Sequence, residues 1–436
     1  MIITPTATTS EKGKKILAGL QDRFQLADSK VQGIVAEILA AVRARGDAAL
    51  IEYTRKFDAP DFRPEQLRVS DQELADAYGL VDLPFMEALQ LAIDRIRNFH
   101  EREKEQSWMV TEANGTITGR LVQPVEVAGL YVPGGQGGKT PLVSSVLMNG
   151  LPAGIAGVER RVMMTVPSAD GSVNPALLVA AQEIGITEIY KAGSAWAIAA
   201  LAFGTETIPK ADVIVGPGNQ FVTEAKRQVS GRVKIDMIAG PSEVLIIADQ
   251  TANPAYIAAD LLAQAEHDPQ ALSMLVATSQ TVAEQVVQEL EIQLTQLSRA
   301  EIARTSLTER GVILIADNLD DAMRIANQIA AEHLELMIDA PFTWLPKIKH
   351  AGAIFMGQHT PESAGDYMAG PNHVLPTMGT ARFSSALGVE TFIKKSSIIA
   401  YSEEALTAHG EQIQQLANLE GLTAHARSVG LRLHGK

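Results

Sequence analysis

Four histidines in this 436-residue chain stand among carboxylates and glycines, and one of them follows a glutamate at the entry to a strand-like run. That pair is Glu332-His333, where a helix-length stretch (320–332) meets the apolar run LELMID. Adjacent residues do not share a helix face, so the two converge only where the helix stops. A carboxylate beside an imidazole then suits proton transfer near neutral pH; a solvated helix end is the other reading. Gln264 and His267 close the stretch NPAYIAADLLAQAEH (253–267), in which Pro254 fits a first turn and Pro269 enforces a stop. Their spacing puts them on one face of the last turn. Imidazole nitrogen and amide oxygen can share a metal ion, or the histidine can answer the helix dipole. The aperiodic segment 357–385 adds Asp366 and His373, and segments of that length are functional or disordered. The C-terminal region adds Glu420 and His425. Gln264, His267, Asp366 and His425 together make a coherent sulfur-free donor set for a divalent cation, zinc included. The other five histidines (100, 350, 359, 409 and 434) read as solvated.

Composition narrows the chemistry. The chain has no cysteine, which removes disulfides, thiolate metal sites and cysteine nucleophiles. Its 37 basic and 51 acidic residues give a net charge of −14, against a nucleic-acid or anionic-membrane partner. A 46% hydrophobic content supplies sizeable cores, and the length fits two to four domains. The segment MIITPTATTSEKGKK lacks the apolar stretch of a signal peptide, and no run approaches a membrane span, so a cytoplasmic location is expected.

The elements that must position these residues are strands alternating with helices from about residue 120. Strand-like runs are VEVAGLYV (125–132), RVMMTV (161–166), EIYKAG (188–193), ADVIVG (211–216) and VKIDMIAG (233–240). They continue with EVLIIAD (243–249), SMLVATS (273–279), GVILIAD (311–317), LELMID (334–339) and AGAIFMG (351–357). Nearly continuous apolar runs are what parallel strands covered on both faces require. Helix-length stretches at 173–186, 253–267, 280–304 and 320–332 separate them. The expected class is α/β with two Rossmann-like parallel-sheet domains. Residues 31–57 and 84–107 predict amphipathic helices, and the chain beyond 384 returns to helix with Ser402 capping 403–419. Ile247-Ala248-Asp249 and Ile315-Ala316-Asp317 echo one another, either as independent βα units sharing one capping device or as traces of a duplication.

Neither glycine-rich segment completes a nucleotide motif. YVPGGQGGKT (131–140) ends like a phosphate loop, but Pro133 stands at its first glycine position. VGPGNQF (215–221) has Phe221 where a dinucleotide fingerprint places its third glycine. A bound NAD would therefore lie outside the GxGxxG pattern.

In combination, the chain resembles the histidinol dehydrogenase family. The resemblance rests on GLYVPGG (129–135), SSVLMNGLPA (144–153), AIAALAFGTETIPKAD (197–212), VGPGNQFVTEAKRQV (215–229) and IDMIAGPSEVL (235–245). AQAEHDP (263–269), AEHLEL (331–336), AGDYMAGPNHVLPT (364–377) and EGLTAHA (420–426) complete it, across roughly residues 25–434. The resemblance implies a zinc- and NAD-dependent, four-electron oxidation of L-histidinol to L-histidine through the aldehyde. It implies zinc ligands at Gln264, His267, Asp366 and His425, and a catalytic pair at Glu332 and His333. Substrate contacts are implied at Ser242, His333, His373, Glu420 and the ligand positions, and NAD contacts at Tyr131 and Asn219. Trp196 replaces the family's glutamine at a further NAD contact, so the cofactor either stacks on Trp196 or leans on Tyr131 and Asn219. The segment 136–143 is longer than the family form. A homodimer is implied in which Glu420 and His425 complete the partner's site. The corresponding division is an arm (1–24), a first α/β domain (25–129 with 241–383), a second on the NAD side (130–240) and a C-terminal helical domain (384–436). Two alternatives share parts of this apparatus: a zinc/NAD dehydrogenase of another small alcohol such as a sulfonated propanediol, and a zinc hydrolase using metal, water and a Glu/His base.

Overall fold

The computed structural model describes residues 2–24, 29–134 and 140–434. Most of the phosphate-loop-like end of segment 131–140, and half of the extended 136–143 stretch, fall on residues 135–139, outside the described residues. The chain forms two compact units, Met1–Glu103 with Glu126–Phe392, and Lys104–Val125 with Ile393–Lys436.

In the larger unit, strand β1 (Thr6–Ala7) comes first. In the smaller unit, β2 (Trp108–Thr111) and β3 (Ile117–Pro124) form an antiparallel pair. The larger unit resumes with β4 (Val127–Val132), β5 (Arg160–Thr165), β6 (Glu188–Lys191), β7 (Val213–Val215) and β8 (Lys234–Ile235). These pair in parallel in the order β6-β5-β4-β7-β8. A second parallel sheet follows from β9 (Glu243–Ala248), β10 (Leu272–Ala277), β11 (Val312–Ile315), β12 (His333–Met337) and β13 (Ala353–Met356). With β1 on its edge, its order is β1-β11-β10-β9-β12-β13. Strand β14 (Ile393–Ala400) pairs antiparallel with β3 in the smaller unit.

All ten expected strands exist, because both faces of each parallel sheet are covered and the sequence answers with unbroken apolar runs. The two parallel sheets repeat one doubly wound order, in which the first strand lies at the centre and the chain reverses direction beside it. The echoed Ile-Ala-Asp triplets both belong to the second sheet, at the ends of β9 and β11, so they do not mark equivalent halves. Asp249 ends β9 by accepting the Thr251 and Asp339 backbone N–H groups at 2.8 and 2.9 Å.

The structure differs from the sequence reading at four places. The stretch 31–57 is two helices, Ser29–Arg45 and Asp47–Phe57, broken at Gly46. Gly46 has φ +52°, and a Cβ there would meet the Glu206 carboxylate at 2.1 Å. The stretch 280–304 likewise divides into Gln280–Leu294 and Ala300–Arg310. The C-terminal region opens with β14 before its helices Glu403–Leu419 and Thr423–His434, and Ser402 does cap the first, accepting from the Ala405 N–H at 2.9 Å. His100, expected to be solvated, is fully buried, with Nδ1 2.7 Å from the Glu103 carboxylate. Among the described residues, no helix is long and apolar enough to cross a membrane.

The first parallel sheet carries a buried ion pair at its carboxyl edge. Lys226 Nζ contacts the Asp236 carboxylate, and both side chains are almost fully enclosed. Lys226 also donates to the Gly216 carbonyl at 2.9 Å, while the Gly216 N–H donates to Asp236 at 2.8 Å. One pair thus satisfies both backbone groups of the residue that follows β7. Gly216 is obligatory there: φ is +116°, and a Cβ would lie 2.0 Å from the Tyr131 carbonyl oxygen. Replacing Lys226 with Met strands a buried carboxylate, so stability should fall by about 3–5 kcal/mol. A urea titration should show this as a lower midpoint with unchanged slope.

Candidate active site

The expected convergence of Glu332 and His333 occurs at the amino edge of the second sheet. Helix Leu319–Ile329 ends at Ala330, a left-handed residue with φ 51° and ψ 59°, and the chain turns directly into β12. The Gly352 and Ala353 N–H groups donate to the carbonyls of Ala331 and Glu332 at 3.0 and 2.8 Å, which ties the turn to the start of β13. His333, first residue of β12, is buried, with Nδ1 2.9 Å from the Glu243 carbonyl oxygen. A carbonyl only accepts, so Nδ1 carries the proton and Nε2 of the neutral ring keeps its lone pair. The Glu243 N–H donates to the Glu332 carboxylate at 2.8 Å. One residue, at the start of β9, thereby holds both members of the pair.

Burial dominates the electrostatics. It pushes His333 down to about 4 and Glu332 well above the usual carboxylate range. The imidazole is therefore a neutral base, and the neighbouring carboxyl holds a proton readily.

A group of side chains that could hold a cation lies within the same unit. Helix Pro254–Ala265 ends just before His267, whose N–H donates to the Gln264 carbonyl at 3.3 Å. Gln264 is fully buried, and neither atom of its side-chain amide has a partner. Within the aperiodic segment, the short helix Glu362–Tyr367 presents Glu362 and Asp366 one turn apart. Ligand atoms of His267, Glu362 and Asp366 lie within 4.8 Å of one another. Glu362 is buried; one of its oxygens is 3.6 Å from His333 Nδ1 and the other has no partner. Burial raises Glu362 well above its ordinary value. Burial also acts to raise Asp366, but the hydrogen bond and charge of His373, 3.5 Å away, and the fields of His333 and His267 hold it low.

The sequence reading named neither Glu362 nor two further buried carboxyls. Glu335 shares a strand face with His333, and Asp260 lies one turn before Gln264. Burial lifts Glu335 well above its usual range and Asp260 to about 6. A charged residue inside LELMID, and another inside YIAADLLA, were the available signals.

Ser242 directly precedes β9, and its carbonyl accepts the Leu272 N–H at 3.0 Å. Glu420 and His425 belong to the smaller unit, at the end of helix Glu403–Leu419 and in the first turn of Thr423–His434; both are exposed.

The expected cofactor residues lie at the carboxyl edge of the first sheet. Tyr131 is buried near the end of β4, its hydroxyl accepting the Ser194 N–H at 3.1 Å. Asn219 caps helix Gln220–Val229 through its side-chain oxygen, accepting from Phe221 and Val222 at 3.0 and 3.2 Å, which leaves its NH2 group as a donor. Trp196 is only 4% exposed and packs against Tyr53 and Phe57 at centroid distances of 5.8 and 5.4 Å.

A proton-binding imidazole among buried carboxyls, on a doubly wound parallel fold, defines an α/β enzyme site. A family model for histidinol dehydrogenase matches residues 21–433. The histidinol dehydrogenase of Desulfotalea psychrophila is 66% identical over 433 residues, covering 99% of this chain and all of that protein. That of Nitratidesulfovibrio vulgaris is 55% identical, covering 96% of this chain and 95% of its own length. The crystal structure of histidinol dehydrogenase from Elizabethkingia anophelis superposes with a TM-score of 0.92 at 40% identity, covering 99% and 98% of the two chains. The chain belongs to the histidinol dehydrogenase family, oxidoreductases that catalyse the final steps of histidine biosynthesis.

Asp58, beside Tyr131, has a buried carboxylate oxygen without a partner, and burial raises it to about 7. A folded-state value above the unfolded one means that its contribution to stability is complete below the unfolded value and is lost as pH rises through about 7. Between about pH 5 and about pH 8, Asp58→Asn should therefore lose less Tm than the parent, as read by calorimetry.

Proposed function

We propose that this enzyme oxidises L-histidinol to L-histidine through the aldehyde, with a zinc ion in each active site and NAD as oxidant in both half-reactions. The observation that carries the reading is the convergence of His267, Glu362 and Asp366 in the unit that holds the neutral His333 base. The donors fit zinc: imidazole and carboxylates without sulfur, and a fully buried Gln264 amide whose atoms lack partners. Gln264, His267 and Asp366 would hold the ion from this chain, and His425 from a second copy would complete the set. When bound, zinc would orient the imidazole and amine of the substrate and polarise its oxygen, and NAD would accept hydride.

The protein's own groups move the protons. His333 Nε2 takes the alcohol proton, since burial keeps the ring neutral and the Glu243 carbonyl fixes its tautomer. In its ionised form Glu332 would receive a proton from the water that adds to the aldehyde, burial making that carboxylate a stronger base than usual. With no cysteine in the chain, a thiohemiacetal route is closed and hydration takes its place. Ser242, His373 and Glu420 would contact the cationic amino alcohol. Tyr131 and Asn219 would contact NAD, the latter at a helix N-terminus suited to a pyrophosphate; buried Trp196 would contribute mainly by shaping that wall.

A second copy is supported by the smaller unit. It exposes Trp108, Met109 and Val110 on β2, together with Ile399, Leu416 and Leu419, the last at 85%. Such apolar exposure would suit association with a second copy.

Purified protein given limiting L-histidinol and excess NAD should yield two NADH per substrate and lose activity when chelated; no NADH would sink the reading. His333→Asn should cut turnover by about 10²–10⁴-fold while substrate affinity persists. Mixing inactive His333→Asn and His425→Asn chains should restore activity, because some mixed dimers regain a complete site. Unrestored activity would confine His425 to its own chain.

A further inference from the structure

We infer that Arg23 is a positioning residue for the Glu332–His333 pair, acting through Glu243. The inference rests on the reading of that pair as catalytic. Arg23 lies just beyond helix Glu11–Gln21, with only 7% of its side chain exposed. Its guanidinium makes a two-point contact with Glu243: Nε to one carboxylate oxygen at 2.6 Å and Nη2 to the other at 2.7 Å. Nη1 donates to the carbonyls of Leu20 and Ile329 at 2.6 and 2.8 Å, and Nη2 reaches the Ala330 carbonyl at 3.4 Å. Gly379 leaves room for the group, since a Cβ there would stand 3.3 Å from Nη1.

This one side chain therefore joins three segments. It ends the first helix, neutralises the first residue of β9, and grips the turn that delivers Glu332. Glu243 in turn spends its backbone on the pair, its N–H on the Glu332 carboxylate and its C=O on His333 Nδ1. A buried ion pair is a poor device for stability alone, because apolar side chains of similar size often serve as well. Its distinctive contribution is geometric: a rigid fork that fixes the carboxylate it binds, and with it the attached peptide. Loss of the fork frees Glu243 to rotate, and the His333 ring loses its reference. Arg23 makes no contact with Gln264, His267 or Asp366, so zinc binding should not depend on it.

The test compares Arg23→Met, Arg23→Lys and the double variant Arg23→Met/Glu243→Leu with the parent and with His333→Asn. Tm, zinc content, kcat and KM for L-histidinol are measured on each full-length protein. Arg23→Met should retain zinc and a KM within about two-fold, while kcat falls roughly 10–100-fold. Arg23→Lys should recover part of kcat, since it restores the charge without the fork. The double variant removes the stranded carboxylate and should regain Tm without regaining kcat. The inference is overturned if kcat returns together with Tm in the double variant, as a merely structural role demands. It also fails if Arg23→Met keeps parental kcat, if zinc or KM changes in step with kcat, or if neither variant folds. Full turnover by His333→Asn would instead remove the catalytic-pair reading beneath it.

Discussion

The parallel pairing of β9 with β12 is the constraint on which the candidate active site depends. In that register His333 lies opposite Val244, which sets the Glu243 peptide beside the Glu332–His333 pair. A slip of one residue would turn the imidazole to the opposite face of the sheet and send the Glu243 carbonyl elsewhere. Register is secured from both sides: β9 is flanked by β10 and β12, and β12 by β9 and β13, so neither strand has a free edge. The core strands are nearly continuous in apolar residues, and their burial makes this arrangement expensive to disturb.

The site combines a dry interior with an unusual density of acids. Glu332, Glu335 and Glu362 are each at least 95% buried, and burial raises all three. Such groups would be a defect in an inert core, because desolvated carboxyls without full hydrogen bonding cost stability. Here burial raises their proton affinity, and with His267 and Asp366 Glu362 forms a sulfur-free group that could hold a cation. The absence of cysteine fits the same economy of donors, with imidazole, carboxyl and amide covering every role a thiolate might fill.

Much of this was legible in the amino-acid order, for reasons that differ from element to element. Strands buried on both faces announce themselves as apolar runs, and the helix stop before His333 follows from a helical pattern giving way to LELMID. The left-handed turn at Ala330 is different, because alanine has no preference for that conformation and only tertiary contacts impose it. Strands β2, β3 and β14 escaped because their exposed or half-buried residues lack a clean alternation. Glu362 lay in a segment too irregular to show its six-residue helix. The Arg23–Glu243 contact spans 220 positions of sequence, a separation over which no local pattern carries information. Glu420 and His425 stood out by residue type, but only the family resemblance assigned them to a partner's site.

The two parallel sheets share a winding order, yet their candidate functional residues occupy opposite edges. At the carboxyl edge of the first sheet, helices begin; at the amino edge of the second, helices end. The macrodipole makes these unequal solvents, with partial positive charge where Asn219 starts a helix and partial negative charge where Gln264 and Ala330 finish theirs. Under the proposed function, one topology used from its two ends would supply an anion-friendly rim for a pyrophosphate and a cation-friendly rim for a metal and an ammonium. On that reading, the polarity of the backbone would sort the two kinds of ligand before any side chain discriminates between them.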